Sequence, residues 1–176
     1  RPPRRAGRIR DPVAHHAAAG DARHAGLRRD LDREPLERLL LAAEATGVAR
    51  ATTDMAADYA RERQQFGRAI AMFQAVKHHL ADAELKVSFA RPAVWAAAYG
   101  LANSSADVDR EVSMAKCFAS DAAEVVARKA LQNHGAIGYT TEHDLHFWLK
   151  RSWALSSSWG DALWHRRRVA HLLLDN

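Results

Sequence analysis

One short segment, residues 60–74, carries the side chains best suited to binding chemistry. It gathers the fixed cation of Arg63, the aromatic face of Phe66 and the side-chain amides of Gln65 and Gln74. An arginine fork pairs with phosphate oxygens, an aromatic ring packs against a base, and amides hydrogen-bond a ribose. The segment therefore predicts a ligand-facing corner that could hold an adenine nucleotide.

Two long helical patterns must position this corner. Apolar residues recur at spacings of three and four from Pro35 to about Gln65, and again from Val76 to Leu101. Such spacing is typical of amphipathic helices. Gly67 breaks the first pattern, and Phe73 then leads into the second. The corner is thus expected at a junction between two packed helices, with Pro35 in the first turn of the earlier one.

Three further helical patterns complete the chain. Small apolar residues from Val112 to Ala130 mark a third helix, which Ser104 could cap, and the glycine-containing stretch from Asn133 to Tyr139 reads as a loop. A fourth helix is expected from Thr140 or Thr141 to about Trp153, and a last one from Trp159 to Leu174. No alternating run of useful length predicts a strand. The expected fold is all-α, an antiparallel helical bundle of the four-helix type.

The positive charge is confined to the start of the chain. The net charge is +5, and residues 1–33 hold nine Arg and four Asp, which leaves 17 basic and 17 acidic residues over 34–176. Residues 1–33 have no aromatic side chain and few large aliphatic ones, so they predict a disordered or irregular leader ahead of a bundle at 34–176. A neutral bundle argues against nucleic-acid binding.

The composition favours a cytoplasmic protein. A single cysteine, Cys117, excludes a disulfide framework and a cysteine-based metal site. His143 and His146 have the spacing of metal ligands but no second ligand pair, so no metal is predicted. No apolar run reaches the roughly 20 residues needed to cross a bilayer, and membrane insertion is not expected.

Three motifs in order resemble the C-terminal helical domain of acyl-CoA dehydrogenases. They are the corner at Arg63–Gln74, the loop Gln132–Tyr139 with the sequence QNHGAIGY, and the segment Thr141–Leu145 with the sequence TEHDL. The likeness covers about Pro35 to Asn176 and is nearest to actinobacterial members that include steroid side-chain enzymes. It implies an all-α domain that binds FAD across a subunit interface.

The resemblance also implies residue roles in binding FAD. Arg63 would neutralise the pyrophosphate of the FAD held by a neighbouring subunit, and Phe66 would contact its adenine end, with Gln65 and Phe73 adjacent. Gln74 would reach the ribose or phosphate region. A second contact would come from Gln132 and Gly135, where a glycine lets backbone N–H groups approach phosphate. Ala136 stands where family members usually have a further glycine.

The implied reaction is α,β-dehydrogenation of an acyl-CoA thioester, which needs a carboxylate base. Most members carry that glutamate near the start of the final helix, where this chain has Gly160, followed by the shorter Asp161. A second solution, as in isovaleryl-CoA dehydrogenase, places it on the first long helix in a Leu-Glu-Arg-Leu sequence. Residues 36–39 match that sequence, so Glu37 is the candidate base and Arg38 the neighbour that would tune it or position substrate.

Alternative functions remain open from the residues alone. The family builds its flavin and acyl pockets with an N-terminal helical domain and a middle β-domain, neither of which is found in this sequence. The chain is therefore expected to act in a homo- or hetero-oligomer with acyl-CoA dehydrogenase-type subunits, and to be inactive alone. The alternatives are a non-catalytic helical oligomerisation module, a truncated remnant of a longer protein, and, more remotely, a basic nucleic-acid-binding helical protein.

Overall fold

A computed structural model describes the backbone of residues 12–174 and the side chains of residues 34–174. The chain divides into two compact units, Arg1–Glu34 and Pro35–Asn176, and the second unit contains every predicted site residue. Residues 1–11 of the predicted leader lie outside the described residues, so the disordered leader stays a prediction.

Helices make up nearly all of the described chain, and the all-α prediction is confirmed. Two short strands, β1 (Gln64–Gln65) and β2 (Arg68–Ala69), form an antiparallel hairpin, and two 3₁₀ turns cover Ile70–Met72 and Gly135–Tyr139. Among the described residues, no helix is long and apolar enough to cross a membrane. The helices are α1 (Pro12–Glu62), α2 (Gln74–Ala102), α3 (Val108–His134), α4 (Leu145–Ser157) and α5 (Ala162–Leu174).

The first helix begins earlier than the apolar stripe predicts. Helix α1 starts at Pro12, and Pro35 lies inside it rather than in its first turn. The residues before Pro35 are rich in Ala and Arg, which have high helix propensity even without an amphipathic pattern. An interior proline removes one backbone hydrogen bond but does not always end a helix.

Helix α3 packs against α2, α4 and α5 through small side chains. Every apolar residue predicted to line one face of α3 is buried, as expected for close helix packing. These residues are Val112, Ala115, Ala119, Ala122, Val126 and Ala130. They contribute to three core clusters, which include Leu39, Ala42, Ala45 and Val48 from α1 and Leu145, Leu149 and Leu155 from α4.

The last two helices start later than predicted because the residues that bond the free N–H groups of their first turns lie further along the chain. The hydroxyl of Thr140 donates to the carbonyl of Ile137 (2.9 Å) instead of capping a helix, and α4 begins at Leu145. The Asp161 carboxylate accepts a hydrogen bond from the backbone N–H of Trp164 (2.7 Å), which makes it the cap of α5.

Candidate functional site

A tight hairpin turn forms the predicted corner between α1 and α2. Gln65 pairs with Arg68, and the two residues between them, Phe66 and Gly67, have φ of 53° and 76°. Two-residue hairpins favour positive φ at both central positions, yet a phenylalanine rarely adopts it. The Phe66 side chain is 90% exposed. The glycine break is thus a hairpin turn that places an aromatic ring on the surface.

Two segments far apart in the sequence line one pocket of about 280 Å³ at this corner. The hairpin and the start of α2 contribute Gln65, Phe66 and Phe73, and the end of α3 contributes Gln132. The Phe66 and Phe73 rings meet edge to face with centroids 6.1 Å apart, and the Arg68 guanidinium lies 4.3 Å from the Phe73 centroid. Also lining the pocket are Ile70, Ala75, Val76, His79 and Asn133.

A second pocket of about 260 Å³ adjoins the first through Gln132, which lines both. Gly135 lines it too and has a φ of 65°, in the region that favours glycine. A Cβ atom added at Gly135 would meet no atom within 4 Å. The space in front of Gly135 is therefore open. Arg128, Leu131 and Tyr139 complete the lining.

Two of the predicted cofactor residues lie beside these pockets without lining them. Arg63 directly follows α1, and its carbonyl accepts a hydrogen bond from the N–H of Ile70 (2.8 Å). Its side chain is exposed and makes no salt bridge with any described residue, including the neighbouring Glu62. Gln74 is the first residue of α2 and is also exposed.

A polar pair that sequence patterns do not predict lines the first pocket. His79 Nδ1 lies 3.1 Å from the side-chain oxygen of Asn133. Asn133 is only 8% exposed, and its Nδ2 has no hydrogen-bond partner among the described residues. A buried amide without a partner is costly, and such groups are often satisfied by a ligand or water. His79 is one of ten histidines, and no spacing singles it out.

A third pocket, of about 410 Å³, lies between the middle of α1 and the turn before α5. Glu37 and Trp159, more than a hundred residues apart, both line it. Arg38 is buried beside it, with its guanidinium 5.9 Å from a Trp159 ring centroid and 5.4 Å from one of Trp164. These distances suit cation–π contacts. The remaining lining residues are Leu40, Leu41 and Glu44.

Comparison with known proteins decides the family. The family model for the acyl-CoA dehydrogenase C-terminal domain matches residues 24–174. The chain belongs to the acyl-CoA dehydrogenase family. The resemblance drawn from the three motifs is therefore confirmed, and the acyl-CoA dehydrogenase family is flavin-dependent.

Individual relatives agree with this assignment. The chain is 42% identical over 108 residues to 3-(aryl)acrylate reductase of Clostridium sporogenes, covering 61% of this chain and 28% of the relative. It is 40% identical over 139 residues to acyl-CoA dehydrogenase FadE34 of Mycobacterium tuberculosis, covering 78% and 20%. The crystal structure of the ChsE4–ChsE5 complex of Mycobacterium tuberculosis matches with 31% identity and a TM-score of 0.78, covering 81% and 39%. The chain thus spans well under half the length of these proteins.

The turn at Gly160, where the resemblance expects the usual family base, leaves little room for a side chain. Gly160 has a φ of 97°, and a Cβ there would lie 2.7 Å from Cε3 of Trp164 and 3.1 Å from Nε2 of His165. Asp161, one residue further on, is the cap of α5. The turn therefore has a glycine and a capping aspartate where the resemblance places the usual glutamate.

His143 of the TEHDL segment joins an aromatic cluster. The His143 ring lies 4.6 Å from that of His134, which stacks on Tyr59 at 4.3 Å. His143 Nδ1 accepts a hydrogen bond from the N–H of Leu145 (3.1 Å). Within residues 34–174, no three His, Cys, Asp or Glu side chains converge as a metal site would require.

Proposed function

We propose that the chain supplies the C-terminal helical part of an FAD-dependent acyl-CoA dehydrogenase, an enzyme that acts on an acyl-CoA thioester. The observation that carries this proposal is the shared pocket of Gln65, Phe66, Phe73 and Gln132. These residues come from two segments about sixty positions apart, and each was assigned to FAD by its motif alone. If the two motifs were unrelated surface segments, there would be no reason for them to line the same pocket.

The lining of this corner fits the adenine nucleotide end of FAD. Phe66 offers an exposed ring, Asn133 a buried amide nitrogen without a partner among the described residues, and Gly135 open space beside its backbone. Arg63 and Gln74, exposed at the edge of the pocket, would reach the phosphates and ribose. Because these groups face outwards, the FAD they hold would extend towards another subunit.

The pocket between α1 and the turn before α5 is the proposed site of proton removal. When bound, FAD supplies the hydride acceptor for α,β-dehydrogenation. Glu37 would remove the α-proton, and Arg38, held against the Trp159 and Trp164 rings, would position substrate or tune the base. Support comes from the convergence of both family base positions on this pocket, since Trp159 adjoins Gly160 and lines the pocket together with Glu37.

The proposed partner is an acyl-CoA dehydrogenase-type subunit, either a second copy or a different chain. This chain spans 28% and 20% of two relatives, so most of their length has no counterpart in it. The similar ChsE4–ChsE5 structure is a complex. Large side chains exposed along α2 favour assembly, since a helix surface of this kind is usually covered. They are Leu85, Phe89, Trp95 and Tyr99.

FAD binding by the isolated chain and by its assembly tests the cofactor site. The isolated chain should bind FAD weakly, and added partner subunits should raise both the affinity and the oligomeric mass. Phe66→Leu should weaken FAD binding by the assembly about tenfold, because base stacking is worth roughly 1–3 kcal/mol. Phe147→Leu, exposed on α4 and outside both pockets of the corner, is the matched control for FAD affinity. Equal FAD affinity of both variants would refute the proposal that FAD binds at this corner.

Turnover of the assembly tests the base. Glu37→Gln keeps the size of the side chain and removes the carboxylate, so it should abolish dehydrogenation while leaving FAD affinity unchanged. Glu44→Gln, in the same pocket, is the control, because Glu44 already accepts a hydrogen bond from Arg151 (2.6 Å). Unchanged turnover in Glu37→Gln would remove Glu37 from the mechanism. If both variants still bind FAD and neither assembly turns over substrate, the result would favour a non-catalytic helical module.

A further inference from the structure

A buried lysine holds the end of α4 and the turn that follows it. Lys116 on α3 has no exposed surface. Its ammonium donates to the hydroxyl of Ser120 (2.8 Å) and to the carbonyls of Leu155 (3.0 Å) and Gly160 (3.2 Å). Three acceptors match the three protons of the ammonium. Burial lowers the pKa of Lys116 to about 8, against the opposing attraction of Asp161.

A buried histidine holds the neighbouring carbonyl of the same turn. His165 on α5 has no exposed surface, and its Nε2 lies 3.1 Å from the carbonyl oxygen of Trp159. Because a carbonyl can only accept, Nε2 must carry the proton of the neutral ring. Two consecutive carbonyls, those of Trp159 and Gly160, are therefore each fixed by a buried side chain from a different helix.

The turn needs such support because its backbone is unusual. Trp159 has a φ of 56° and Gly160 one of 97°. Left-handed conformation is unfavourable for a bulky residue such as Trp159, and it persists where surrounding contacts determine it. The same conformation directs the Trp159 ring to the pocket of Glu37 and to the buried guanidinium of Arg38.

We propose that Lys116 and His165 are positioning residues, which fix the turn Ser158–Asp161 so that Trp159 forms one wall of the Glu37 pocket. The inference rests on the proposed function in taking that pocket as the reaction site. Neither residue touches the pocket, and each acts through a backbone carbonyl of the turn. The chain would thus replace the usual side chain at position 160 by a rigid backbone turn, which Lys116 and His165 hold from outside the pocket.

Amide hydrogen exchange of the whole chain tests the proposal. The N–H of Ser158 bonds to Ala154 (3.1 Å) and that of His165 to Asp161 (3.1 Å), so peptides covering residues 158–165 report on the turn. His165→Leu should speed exchange there at least tenfold and leave buried α2 peptides over residues 83–94 unchanged. His165→Gln, whose amide can donate to the same carbonyl, should recover most of the protection.

Lys116→Met provides a second, independent variant. A methionine fills a similar volume and leaves no unpaired charge in the core, so the hydroxyl and carbonyl acceptors of Lys116 are the groups that lose a partner. Exchange should still rise in residues 158–165, because two carbonyls lose their donor. Equal acceleration in α2, no acceleration in either variant, or no recovery with His165→Gln would each overturn the proposal.

The failure of this inference is distinguishable from failure of the proposed function. Glu37→Gln should leave exchange of the turn unchanged, since Glu37 makes no contact with Lys116 or His165 among the described hydrogen bonds. Exchange therefore reports on the positioning residues alone, and turnover of Glu37→Gln reports on the base alone. A mobile turn in wild-type protein would refute the positioning role whatever the base proves to be.

Discussion

Replacing Gly160 by alanine should destabilise the domain strongly, although the change adds only one methyl group. The backbone at Gly160 has a φ of 97°, and left-handed conformation costs an L-residue roughly 1–2 kcal/mol. The new Cβ would lie 2.7 Å from Trp164 and 3.1 Å from His165, and overpacking of this kind costs roughly 1–3 kcal/mol. The free energy of unfolding should therefore fall by about 2–5 kcal/mol.

Urea unfolding followed by circular dichroism measures this change. With a slope of roughly 2 kcal/mol per molar urea, the midpoint should fall by about 1–2.5 M. Gly47→Ala is the matched control, since Gly47 lies inside α1 and an added Cβ meets nothing within 4 Å. It should stabilise the domain by roughly 0.5–1 kcal/mol.

An unchanged midpoint for Gly160→Ala would refute the reasoning from φ and packing, provided that Gly47→Ala shifts upwards. Gly160→Glu should be at least as destabilising as Gly160→Ala, because it adds the same Cβ and a longer side chain. That variant would place a carboxylate at the usual family position. A folded, active Gly160→Glu assembly would mean that the turn can open, contrary to the support that Lys116 and His165 give it.

Further predictions concern pH and the core. Burial lowers the pKa of His165 to about 4, so the unfolded chain takes up its proton first, and this group should cost about 3 kcal/mol of stability as pH falls from 7 to 4. His165→Gln should flatten that part of the stability profile in urea titrations at both pH values, and an unaltered slope would contradict it. Leu145→Ala, at a fully buried position, should cost about 2–5 kcal/mol. Leu163→Ala, at an exposed position, should cost less than about 0.5 kcal/mol, and equal costs would disprove the assigned burial.

Much of the helical architecture could be predicted, because its signal is local. The face of α3 from Val112 to Ala130 recurs at helical spacing, and every predicted member is buried. Helix starts were harder to predict. The apolar stripe predicts Pro35 in the first turn of α1, whereas α1 begins at Pro12, and the last helix is predicted from Trp159, whereas Asp161 caps it. Helix propensity and capping hydrogen bonds decide such boundaries, and several neighbouring residues could cap the helix equally well.

Contacts between distant residues could not be predicted from the same sequence. The amide of Asn133 meets His79, and Lys116 reaches the carbonyl of Gly160, only because α2, α3 and α5 pack side by side. Nothing in the spacing of these residues distinguishes them from solvated helix residues. Lys116 in particular reads as an ordinary polar position in the sequence, whereas it is completely buried.

The sequence by itself determined the family and the all-α fold, because both depend on residue types at short, fixed spacing, and it contains the two motifs that are proposed to bind FAD. Tertiary structure decided that Gln65, Phe66, Phe73 and Gln132 share a pocket, and that Glu37 lies across another from Trp159. Helix packing sets these distances, and it depends on the shapes of many small side chains at once rather than on any local pattern.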